Sequence, residues 1–154
     1  MQTTQLSEHL WQSVLETFET MIPLPLQRVE DPKPAPSDGP LWAGSITFTG
    51  DLRGCLTLLC SADCGEKMAR TMLMLEDSEP VDEADLKDAL GEIANLAIGG
   101  LKSRLLAAGC TLDISIPTVT RGRDLRPALG VDVERFSLLI ETEGHTFEFV
   151  LACK

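Results

Sequence analysis

Glu92 and Asn95 stand three positions apart in the stretch Asp85–Ala108, DLKDALGEIANLAIGGLKSRLLAA. On a helix, a carboxylate and a carboxamide at that spacing point the same way and could touch one partner together. They belong to a longer row. Asp88, Glu92, Asn95, Gly99 and Lys102 fall 4, 3, 4 and 3 positions apart, which at about 100° per residue places all five within roughly 80° of one another. Directly opposite, Leu86, Leu90, Ile93, Ala97 and Leu101 follow the 4-3-4-4 spacing of a buried stripe. Asn95 and Gly99 are poor helix formers, each costing about 0.5–1 kcal/mol against Ala, and they lie where packing gives no reason for them. A glycine there removes the side-chain wall, so another surface could approach the backbone closely. A solvated face with two incidental poor helix formers has the same spacing.

The usual catalytic sets are missing. There is no Walker loop, no GxGxxG after a strand and no GxSxG. His9 and His145, the two histidines, lie near opposite ends of the chain, and none of the five cysteines (Cys55, Cys60, Cys64, Cys110, Cys153) forms a CxxC. A zinc site or a Cys/His nucleophile pair is therefore not expected. Cys55, Cys60, Cys110 and Cys153 sit within apolar runs, which suits reduced, buried thiols in a cytoplasmic protein.

With 154 residues, 44% hydrophobic and 24% charged, the chain is expected to fold as a single globular domain over 1–154. Its net charge of −11 argues against a nucleic-acid partner and against anionic membrane surfaces, both of which would repel it. The first twenty residues hold no basic segment followed by a long apolar run, and no stretch approaches the length of a membrane span, so neither a signal peptide nor a transmembrane helix is expected.

The elements that must position the polar face follow from period and punctuation. Leu6, Leu10, Val14, Phe18 and Met21 predict an amphipathic helix over 4–22 that Pro23 ends, with Trp11 on its flank. Residues 23–40 carry six of the nine prolines and read as a solvated connection within the domain. Leu41–Thr49 and Leu52–Cys60, joined by Gly50-Asp51, read as a β-hairpin. Ser61 caps a second helix running through Leu75, with Met68, Met72 and Met74 read as core filler. Residues 76–85 are an acidic, solvated loop whose Asp85 suits the positive end of the central helix, and Gly109 signals that helix's end. After it, Cys110–Ile116 reads as a strand, 118–127 as a polar connection, and Ala128–Glu134, Ser137–Thr142 and Thr146–Cys153 as three more strands, the last two turned at Glu143-Gly144. This order predicts an α+β fold, a mostly antiparallel sheet with helices packed on one face.

Asp88-x-x-x-Glu92-x-x-Asn95, with Pro117 twenty-two positions after Asn95, resembles the signature of the CheC/CheX/FliY family of chemotaxis phosphatases. The segments GEIANLAIGGLK and IPTVTRGRDLR, Ile116–Arg126, resemble the CheX branch, and the order of elements agrees over nearly the full length. The resemblance implies an aspartyl-phosphate phosphatase acting on a CheY-type response regulator. It implies that Asn95 enters the regulator's active site and orients the attacking water, and that Glu92 pairs with the lysine beside the phosphoryl group. Asp88, Gly99 and Lys102 would be partner-binding. The chain would bind no cofactor of its own, because the Mg²⁺ would belong to the regulator. One site per chain is implied, since neither 4–22 nor 61–75 contains ExxN, and the protein would form a homodimer with sheet strands continuing across the subunit boundary. These residue types make sense for phosphoryl transfer, whose loose transition state needs positioning and charge balance more than a strong base. An amide donates and accepts hydrogen bonds and so fixes a water in line with phosphorus, whereas a carboxylate at 95 would add negative charge. The alternative is a non-catalytic module of the same fold that binds a receiver domain or a motor component. The intact Glu92/Asn95 pair favours the enzyme.

Overall fold

Trp42, Ile46 and Phe48 alternate along one side of β2 (Leu41–Gly50) and are all buried, as a strand with a helical layer on one face requires. The computed structural model describes residues 2–30, 39–122 and 132–154. Around β2 stand β1 (Gln27–Arg28), β3 (Gly54–Ser61), β4 (Leu112–Ile114), β5 (Thr118–Gly122), β6 (Glu134–Thr142) and β7 (His145–Cys153). They form a seven-stranded sheet in the order β1-β6-β7-β3-β2-β4, with β5 pairing β2 alongside β4. Every pairing among them is antiparallel.

The helices α1 (Thr3–Met21), α2 (Ala62–Met72) and α3 (Glu83–Ala107) share one core with the sheet. α3 lies on β2, β3, β4 and β5, α1 packs on α3 and β6, and α2 packs on α3, β3 and β7. The observed class is the expected α+β, with an antiparallel sheet and its helices on one side. Stacked rings of Phe18 and Phe147, centroids 5.5 Å apart, join α1 to β7. The opposite side of the pleat carries a small separate cluster of Ala43, Leu59 and Val150.

Several expected boundaries move. Thr118–Gly122, read as a polar connection, is strand β5. Of its five residues Thr118, Thr120 and Arg121 are exposed, so no apolar alternation announced it. The rest of that expected connection, 123–127, lies outside the described residues, as does 128–131 of the expected strand 128–134. Asp132 has a left-handed φ of 66°, so the strand begins only at Glu134 and runs unbroken to Thr142, merging two expected strands. β1 interrupts the proline-rich connection, where Gln27 and Arg28 pair with Glu141 and Ile140; residues 31–38 of that connection lie outside the described residues. α2 stops at Met72 instead of Leu75. Met74, at φ 58° and 92% exposed, is no core filler, whereas Met68 is fully buried and Met72 packs against the core. The expected strand 110–116 shortens to β4, with Cys110 only half-buried.

Candidate functional site

α3 is fixed before its outer face is considered. Asp82 caps it, its Oδ1 accepting the Asp85 N–H at 2.8 Å, and Glu83 and Asp85 in the first turn complement the helix dipole. The acidic run of 76–85 thus divides between loop and helix start. The predicted stripe is buried in full, and Ala89, Gly91, Ala94, Ile98 and Leu105 are buried with it. The helix is therefore held on two flanks, by the sheet and by α1. Small residues permit this. A Cβ at Gly44 of β2 would stand 3.3 Å from the Leu90 carbonyl oxygen, so strand and helix backbones lie close together. On the other flank Ser13 Oγ of α1 donates to the Ala97 carbonyl at 2.6 Å, and a Cβ at Gly100 would overlap that hydroxyl. Arg104 and Glu16 close the same seam with an ion pair at 3.1 Å.

What remains outside is the polar row. Asp88, Glu92 and Asn95 are exposed, and Gly99 and Lys102 are half-buried. The five expected site residues therefore lie along one accessible line of one rigid helix. Among the described residues neither Asp88 nor Glu92 has an ion-pair partner. A Cβ at Gly99 would meet nothing within 4 Å, so nothing within the chain requires a glycine there.

Beside this row the helix and β5 enclose an open groove of about 320 Å³, lined by Lys87, Asp88, Gly91, Glu92, Pro117 and Val119. Pro117 is brought to the start of the row: a Cβ at Gly91 would stand 3.5 Å from Pro117 Cγ and 3.5 Å from Val119 Cγ2. Asp88 and Glu92 are walls of the groove, while Asn95, Gly99 and Lys102 continue along the helix beyond it. The sequence reading missed Lys87, Gly91 and Val119. Gly91 was visible as a small residue on the flank of the buried stripe, but Val119 had no signal until β5 was known.

Such a face can offer a carboxylate to a cation and a carboxamide to a polar centre at once. The thiols offer less. Burial pushes Cys60 and Cys64 up, Cys64 to about 12, so neither is a thiolate near neutral pH.

The model of the family described as chemotaxis phosphatase CheX matches residues 42–141, well over half of the chain and inclusive of the whole of α3 and the groove. A protein named CheY-P phosphatase CheX, from Thermotoga maritima, is 35% identical over 81 residues, 53% of this chain and 52% of that protein. The match thus spans about half the length of that relative. The crystal structure of a chemotaxis protein CheX from Desulfovibrio desulfuricans superposes with a TM-score of 0.82 at 17% identity, covering 97% of this chain and 99% of the other. The CheX of a CheX–CheY–BeF3–Mg²⁺ complex from Borrelia burgdorferi has the same fold, with a TM-score of 0.69 at 15% identity and 96% of each chain covered. Because that family model spans well over half of its residues, the chain belongs to the CheX family of chemotaxis phosphatases.

Proposed function

We propose that this protein removes the phosphoryl group from the active-site aspartate of a CheY-type response regulator. The observation that carries this reading is the exposed Glu92–Asn95 pair on a helix whose other sides are buried. Water attacks phosphorus, the bond between phosphorus and the aspartyl oxygen breaks, and inorganic phosphate and the free carboxylate result. Asn95 holds that water through its carboxamide, accepting from one O–H and leaving an oxygen lone pair aimed at phosphorus. Glu92 forms a charge-assisted contact with the regulator's lysine and sets the register. Asp88, Gly99 and Lys102 contact the partner along the same line, with the glycine allowing close approach. Mg²⁺ enters with the regulator and balances charge on the phosphoryl oxygens.

The family's solved complex of CheX with CheY, BeF3 and Mg²⁺ supports the choice of partner. A cytoplasmic location agrees with five free cysteines and, among the described residues, no helix long and apolar enough to cross a membrane. A homodimer with a continued sheet is part of the same reading, because edge strands invite pairing. The test is phosphate release from a regulator charged by a small phosphodonor in Mg²⁺ buffer. Acceleration by the protein that is lost in Glu92→Ala supports the reading. No acceleration despite measurable binding rejects it in favour of a docking module.

A further inference from the structure

Ile116 is 85% exposed, yet it does not sit on a slack loop. Ser115 ties the corner between β4 and β5 to β2. Its N–H donates to the Thr47 carbonyl at 2.9 Å, and its hydroxyl accepts from the Thr47 N–H and from Thr47 Oγ1 at 3.0 Å each. The same hydroxyl donates to the Ile116 carbonyl at 3.3 Å. On the other side Pro117 fixes its own φ and packs across Gly91. A single exposed apolar residue is ordinary. This one is held in place from both sides and adjoins the groove that Glu92 and Asp88 line. The other large exposed hydrophobics, Met21, Leu73, Met74 and Leu106, lie at the ends of α1, α2 and α3, on none of the groove-lining positions.

We propose that the corner Ser115–Pro117 is a second docking contact for the receiver domain, with Ile116 packing on an apolar patch of the regulator while Glu92 and Asn95 reach its phosphorylation site. The inference rests on the phosphatase reading above for the identity of the occupant. Two features favour that occupant. Pro117 and Val119 line one groove with the carboxylates of Asp88 and Glu92, and the exposed Ile116 directly precedes Pro117, so a partner seated at Glu92 comes within reach of this corner. The carboxylates also favour a partner that brings a basic group there. Ile116 touches none of the reacting atoms. Its contact is made equally in the bound complex and in the transition state, so it lowers KM and leaves kcat unchanged. Asn95 acts in the opposite sense.

The test measures phosphate turnover against regulator concentration for the wild type, Ile116→Ser and Ile116→Leu. Alongside it runs the dissociation constant for regulator held active by beryllium fluoride and Mg²⁺. Ile116→Ser is expected to raise KM and the dissociation constant about tenfold, as loss of one buried aliphatic contact does, with kcat and melting temperature unchanged. Ile116→Leu is expected to restore both constants. An unchanged dissociation constant in Ile116→Ser overturns the inference, as does a fall in kcat at constant KM. Should the wild type fail to turn over, the phosphatase reading falls, while the dissociation constants still decide whether this corner docks the regulator.

Discussion

Gly99 and Gly100 are neighbours in α3 and answer to opposite demands. A Cβ at 100 would overlap the Ser13 hydroxyl that seals α1 to α3. A Cβ at 99 would enter open space. The first glycine is needed by the fold. The second weakens the helix by about 0.5–1 kcal/mol with no return inside the chain; in the function proposed above, it admits the regulator. The same division holds for the whole helix. Its inner sides bury ten residues, while its outer side carries the exposed Asn95 together with Asp88 and Glu92, neither of them ion-paired among the described residues. Rigidity on one side makes precision on the other possible, since a catalytic amide must be held to within a fraction of an ångström.

That division can be broken deliberately. Ile93→Asp places a carboxylate in the buried stripe, and a burial cost of several kcal/mol against a total stability of about 5–15 kcal/mol is expected to unfold the chain. Circular dichroism checks this, and a native-like spectrum would mean that the helix is rotated from the orientation described. Gly100→Ala is expected to destabilise by about 1–3 kcal/mol through overpacking, read as a lower denaturant midpoint. The double variant Ser13→Ala/Gly100→Ala should recover part of that loss. Gly99→Ala should go the other way, stabilising by up to about 1 kcal/mol while weakening regulator binding. A loss of stability in Gly99→Ala would erase the contrast between the two glycines. The smallest effect on stability is expected from Asn95→Ala, within about 0.5 kcal/mol of the wild type, because the side chain is exposed.

Much of this was legible in the sequence, and the reasons differ by residue. α3 was readable because its two faces differ in chemistry at a helical period, and Gly109, at φ 86°, marks its end as expected. Glu143-Gly144, both at positive φ, make the expected hairpin turn. β5 was hidden because among the described residues it pairs with β2 alone and most of its side chains are exposed, so its pairing to Leu41–Ser45 left no pattern of burial. β1 is two residues long and exists through its pairing with β6, with no periodicity of its own. The five expected site residues were readable as a row, of which Asp88, Glu92 and Asn95 are exposed and Gly99 and Lys102 half-buried. The other wall of the groove was not, because Pro117 and Val119 reach Gly91 through the packing of an unrecognised strand. Only the resemblance to a family motif had tied Pro117 to the row.

The most direct measurement is the decay of phosphate on a CheY-type regulator from the same organism, alone, with the wild-type protein, and with Asn95→Ala. Asn95→Ala is to be shown first to melt and to bind activated regulator as the wild type does. Wild-type protein should speed the decay, and Asn95→Ala should lose that acceleration by about a hundredfold or more, the scale of a misplaced reacting group. Equal acceleration by a folded, regulator-binding Asn95→Ala would contradict the assignment of the water to Asn95.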